Sequence, residues 1–141
     1  MRGFAHLLHI LPAIVPAAAI ADNTPQVSQI IPLAGYSQLA FAIALGALAD
    51  ADATFTVLVE HGDDPALADA AAVPDAQLTG TEASASFNFA DDGKVRKIGY
   101  VGSKAYVRLT VTPANNAGNA FIAAVAILSG ARHAPTAPQS G

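Results

Sequence analysis

The chain of 141 residues has no cysteine and no tryptophan. Without cysteine there is no disulfide framework and no thiolate metal site, so the fold rests on packing or on assembly. Charge is scarce. Asp, Glu, Lys and Arg together make 13% of the residues, about half the usual share. The net charge of −4 speaks against a general nucleic-acid binder, which gathers Lys and Arg against phosphates. Catalytic signatures are missing as well. There is no P-loop, no Rossmann glycine fingerprint and no H-E-x-x-H pair. Ser37, Ser103 and Ser129 all lie outside any G-x-S-x-G elbow; "YVGSK" has a Gly directly before its Ser, but the second Gly is missing. The four histidines are His6, His9, His61 and His133. His6 and His9 share i, i+3 spacing, but two ligands make no metal site. The acids of "DADAT" and "EHGDD" are too sparse for a calcium or magnesium loop. No unbroken apolar run approaches the ~20 residues of a membrane-spanning helix. These absences give a non-enzymatic chain with no cofactor, no metal, no nucleic acid and no membrane partner.

What is present is apolar and small. Hydrophobic residues make up 52%, and 33 of them are alanine. Alanine buries little area, so the core is thinner than the percentage implies. A surface of Ala, Ser, Thr, Gly and Asn is poorly hydrated for a free monomer and suits a chain covered by partners.

The first 24 residues raise one question: cleaved signal or retained arm. Arg2 before an apolar stretch and the Ala-x-Ala pattern at Ala19–Ala21 favour a signal. His6 and His9 interrupt the apolar run, and Pro12 and Pro16 break a helix through its middle. The balance favours a retained apolar arm over residues 1–24. Phe4, Leu7, Leu8 and Leu11 have i, i+3, i+4, i+7 spacing, which predicts one short amphipathic helix before an extended stretch. With Ile14 and Val15 they form the expected contact set of the arm. That arm lies either on its own sheet or on a neighbouring subunit, because exposing it is costly.

From residue 25 to residue 130 the signals are β-like. "QVSQIIPL" reads as a first strand with Pro32 at an edge or bulge. "SQLAFAIALGAL" alternates, with Leu39, Phe41, Ile43 and Leu45 on one face and alanines on the other, which reads as a central strand or as one whose second face is covered by another layer. "TFTVLVE" puts Phe55, Val57 and Val59 inward. "HGDDPALADAAAVPDAQLTG" is loop-like, with one helical turn at "PALADAAA" where Pro65 suits a first helical position. "ASASFNFA" alternates as a strand, and "DDG" at Asp91–Gly93 is a tight turn. "KVRKIGYV", "AYVRLTVTP" and "FIAAVAIL" are the remaining strands. Residues 131–141 form a polar, Pro-bearing tail. About seven strands at regular spacing, with no βαβ rhythm, predict an all-β sandwich with jelly-roll-like connections.

The charges are segregated. Ten acidic residues fall between Asp50 and Asp92 with no Lys or Arg among them. Lys94, Arg96, Lys97, Lys104 and Arg108 then follow within fifteen residues. Such a basic hairpin pairs either with acidic loops of its own chain or with the acidic edge of a neighbouring copy, where it would set register. Contact with single-stranded nucleic acid calls for interleaved aromatics that are lacking here.

"FTVLVEHGDDP", "KIGYVGSKAYVRLTVTP", "AFIAAVAILSGARHAP" and the opening "ADNTP" with "LAGYSQLAFAIALG" resemble small structural proteins of tailed bacteriophages and prophages. The resemblance spans nearly the whole chain through strand patterns rather than a catalytic motif. It implies a virion structural protein that decorates or cements the outer capsid surface, with the major capsid protein and copies of itself as partners. Another virion position, such as head–tail connector, tail or spike base, is compatible with it. "TVLVEHGDD" and "AYVRLTVTP" also resemble discoidin-like jelly rolls, which implies instead a secreted or periplasmic carbohydrate-binding module. Its Ala- and Asp-rich loops and missing Trp sit poorly with sugar binding.

Overall fold

The computed structural model describes residues 3–132. In chain order the strands are β1 (His9–Ile14), β2 (Gln26–Val27), β3 (Ile31–Pro32), β4 (Gln38–Leu48), β5 (Thr54–Gly62), β6 (Ala71–Ala72), β7 (Leu78–Thr79), β8 (Phe87–Asn88), β9 (Val95–Tyr100), β10 (Tyr106–Ala114) and β11 (Ala120–Ser129). Alternation builds the core, because successive side chains of a strand point to opposite faces. β4 buries Leu39, Phe41, Ile43 and Leu45. β5 buries Phe55, Val57 and Val59, β10 buries Val107, Leu109 and Val111, and β11 buries Ile122, Ala124, Ala126 and Leu128. These inner faces meet in one core, where Phe55 stacks on Phe87 at 4.9 Å.

The strands form two antiparallel sheets packed as a sandwich. One has the order β1-β11-β4-β9-β7; the other runs β2-β10-β5-β6, with β3 also on β10 and β8 also on β5. The chain crosses between sheets at each main step except around β5 and β6. Its first and last strands are neighbours. With β2 and β3 taken as one edge, this is jelly-roll order. The all-β sandwich expected from the sequence is therefore the fold, and β4 is central in its sheet, as its two apolar faces predict.

Local differences have physical reasons. The arm does not form the expected helix over Phe4–Leu11. A single 3-10 turn spans Phe4–Leu7, closed by His6 N–H to the Gly3 carbonyl at 3.1 Å. The chain then extends as β1 and pairs with β11 from His9↔Leu128 to Ile14↔Ala124. That ladder supplies backbone bonds that a proline-interrupted helix lacks. Pro12 sits in an edge strand, where its missing N–H costs little. Gln29 covers the open edge: its N–H donates to the Ala13 carbonyl at 3.1 Å and its side-chain amide donates to the Pro12 carbonyl. Beyond a turn the arm rejoins β11, as Ile20 and Ala120 exchange two bonds of 2.8 and 2.9 Å. The sandwich thus begins at His9, inside the segment read as a separate arm.

"QVSQIIPL" is two short strands rather than one. Between them the Ser28 hydroxyl, instead of a backbone carbonyl, accepts the Leu109 N–H at 2.9 Å. "PALADAAA" is not helical; Leu67 adopts φ +54° there and is buried. "ASASFNFA" is not a strand throughout. Its first half is a helical turn, α1 (Glu82–Ala85), capped by Thr81 Oγ1, which accepts the Ser84 N–H at 3.0 Å. The reason lies on β5. Its amides at Val57 and Val59 are satisfied by Ser86 Oγ at 3.0 Å and Glu82 Oε2 at 2.7 Å. Side chains of the turn do there what a paired strand would do. The tail expected over residues 131–141 lies, beyond Arg132, outside the described residues, and His133 with it.

Candidate functional site

The arm's expected contact residues separate into two groups. Phe4 is 74% exposed and Leu7 37% exposed, both on the 3-10 turn. Val15 is also exposed, at the end of β1. Leu8 is half-buried, and Leu11 is half-buried against the core. Ile14 belongs to the core of its own sandwich. The shift of register between Pro12 and Ile14 explains this, because it turns both Ala13 and Ile14 inward. Asn116 holds the far end of the arm. Its side-chain amide donates to the Ile20 and Asp22 carbonyls, both at 3.1 Å, while its own N–H donates to Asn23 Oδ1 at 2.9 Å. Nothing in "ANNAGNA" beyond its turn-forming composition signals that role.

The basic residues do not form a hairpin. Lys94, Arg96 and Lys97 lie on or before β9 in the five-stranded sheet, while Arg108 lies on β10 in the other, with Lys104 in the connection. Four of the five pair inside the chain. Lys94 and Arg96 meet Asp91, Lys104 meets Asp63 at 3.1 Å, and Arg108 meets Glu60 at 3.0 Å. Asp91 is the best held of these acids. The Asn88 N–H donates to it at 3.0 Å, and this bond, with the two cations, keeps its carboxyl below the usual range. Lys97 is exposed and makes no ion pair among the described residues.

The outer faces of the two sheets differ in chemistry. On the six-stranded sheet, Thr56 faces Thr112 and Glu60 faces Arg108 across the β5–β10 ladder. On the five-stranded sheet the outward positions of β4 are Gln38, Ala40, Ala42, Ala44 and Gly46. Those of β11 are Phe121, Ala123, Val125, Ile127 and Ser129, whose hydroxyl donates to Gln38 Oε1 at 2.6 Å, and those of β9 are Val95, Lys97 and Gly99. Val95 is 64% exposed and Phe121 47% exposed. Lys97 is the single charge on these three strands' outer face.

One end of the sandwich carries a cleft of about 310 Å³. All three tyrosines of the chain, Tyr36, Tyr100 and Tyr106, line it with Ser103 and Lys104. Behind it, His61 is buried and its Nδ1 lies 2.8 Å from the Tyr100 hydroxyl, which also accepts the Lys104 N–H at 3.0 Å. His61 therefore engages a tyrosine rather than a serine. Burial raises the Tyr100 pKa. Burial first, and Lys104 next, lower that of His61, with Asp63 and Asp69 opposing more weakly. The folded protein thus takes up this proton at lower pH than the unfolded chain does. The stability contributed by neutral His61 is complete above about pH 6.5 and is lost as pH falls through the window below it. The urea midpoint is expected to drop as pH falls below about 6.5, and His61→Gln flattens that slope. An unchanged slope in the variant would place the proton uptake elsewhere.

Among the described residues no group of three His, Asp or Glu is placed to hold a metal ion. No helix among them is long and apolar enough to cross a membrane. No protein-family model matches this chain, and no curated protein matches it.

Proposed function

We propose that this protein is a non-enzymatic virion structural subunit of a tailed bacteriophage or prophage. In this reading it is a decoration or cement protein that binds the outer surface of the assembled head and bridges capsid subunits. The observation that carries the reading is the N-terminal turn. Phe4 and Leu7 are held out in water at the start of an edge strand that is itself fixed into the sheet. An apolar turn on a rigid base costs little entropy to dock, because the chain behind it is already ordered. Burying it on a capsid surface gains about 25 cal/mol per Å² of apolar area removed from water.

The test is co-sedimentation of the full chain, and of a variant lacking residues 2–8, with undecorated phage heads. The full chain is expected to pellet with the heads, and the variant to bind at least ten times more weakly. Equal binding by the two would remove the turn as the anchor. Failure of the full chain to bind any head would remove the proposal.

A second reading rests on the tyrosine-lined cleft, which has the size and the mixed aromatic and polar lining that suit a saccharide. It makes the chain a carbohydrate-binding sandwich. Saccharide titration that moves the Tyr36 and Tyr106 signals would favour it over head binding.

A further inference from the structure

We propose that the outer face of the five-stranded sheet receives a second copy of this chain, packed sheet to sheet about a two-fold axis parallel to the strands. The relief of the face carries the inference. In the middle of β4 the outward side chains are the alanines Ala40, Ala42 and Ala44, which leave a trough; Gly46 beyond them is covered by Phe121 of β11. Along β11, beside it, Val125 and Ile127 form a ridge. Val125 stands opposite Ala42 in the ladder, and Ile127 opposite Ala40, so ridge and trough run side by side in register.

A two-fold axis between these strands lays β11 of one copy over β4 of the other, and the reverse. Each ridge then fills the partner's trough at the ~10 Å spacing of packed sheets. A two-fold contact requires a self-complementary patch, and an adjacent ridge and trough in register make one. The same rotation brings Lys97 over Pro12 of the other copy, because Pro12, Val125, Ala42 and Lys97 form one cross-strand row. Both lie at the border of the contact. There the lysine stem covers apolar surface and its ammonium stays in water. No charge enters the middle of the contact. The opposite outer face, with its Thr and Glu–Arg pairs, has no such need of cover.

Strand spacing of about 4.8 Å and rise of about 3.3 Å per residue make the four-strand face about 19 Å wide and about 20 Å long. That is about 400 Å² of plan area per copy, or about 800 Å² for the pair, below the ~1,200 Å² of stable specific contacts and in the range of weak, transient ones. The expected dimer is therefore reversible, with dissociation in the micromolar range or weaker, and crowding on an assembled surface would favour it.

This goes beyond head binding and is measured without heads, by sedimentation velocity of the full chain over a concentration series. The expected result is a reversible monomer–dimer equilibrium. Val125→Asp shifts it to monomer, since it sets a carboxylate into the partner's trough. Ala42→Val keeps the face apolar, and valine suits a strand, so the variant folds. It fills the trough and weakens the dimer at least tenfold. Thr56→Asp, on the other outer face, leaves the dimer unchanged. A full chain that stays monomeric throughout overturns the proposal. So does an Ala42→Val chain that dimerises as well as the original, because a merely sticky face would welcome the added methyl groups.

Discussion

Removal of residues 1–21 is expected to unfold the sandwich, whereas removal of residues 1–8 leaves its melting temperature within a few degrees of the full chain. The longer cut falls at the Ala-x-Ala pattern. It takes away β1, and with it the buried side chains of Ala13, Ile14 and Ile20. It also strips the ladder from one whole side of β11 and leaves Asn116 without the Ile20 carbonyl it holds. Truncating a single buried isoleucine to alanine costs about 2–5 kcal/mol. Losing two outright, together with an edge strand, approaches the 5–15 kcal/mol that stabilises a typical domain. The shorter cut removes Phe4 and Leu7, which are exposed, and half-buried Leu8, so its cost is small. Thermal denaturation followed by circular dichroism distinguishes the two. A residue 22–141 chain that melts like the full protein would show that β1 is dispensable.

The second large effect is at Phe41. It lies at the centre of β4, is 1% exposed and faces the opposite sheet across the core. Phe41→Ala removes most of an aromatic ring from a packed interior and leaves a cavity that the ladders on both sides prevent from closing. The expected loss is about 3–5 kcal/mol in urea denaturation. Phe121→Ala, on the outer face of β11, is expected to change stability by less than about 0.5 kcal/mol. Equal losses at the two positions would mean that the outer face, too, is packed inside the folded chain.

The long strands were legible in the sequence because each carries its own signal. In β4 the alternation of large residues with alanine, and in β5 and β10 that of apolar with polar residues, states both the strand and its inward face; β11 reads as a strand, but large and small residues share both of its faces, so its inward side is not stated. What escaped was decided by long-range partners. The helical spacing of Phe4, Leu7, Leu8 and Leu11 is real, but β11 offers the arm a full ladder, and a short helix broken by Pro12 offers less. "ASASFNFA" alternates as a strand should, yet Glu82 and Ser86 are needed as hydrogen-bond acceptors for β5. The basic cluster looked like one edge because its members are close in sequence. A jelly roll sends successive strands to opposite sheets, so β9 and β10 diverge, and four of the five cations find acids of their own chain while Lys97 does not. The apolar outer face was written in the alanines of β4, but only the register with β11 shows that a ridge lies beside them.

Mass measurement of the polypeptide from its native source tests most directly whether the leading apolar segment is a working part of the finished protein. The expected spectrum contains His9–Ala21 intact, joined to the remainder of the chain. A native molecule that begins at Asp22 would contradict the account, since it would lack β1, the protruding Phe4 turn and one wall of the core.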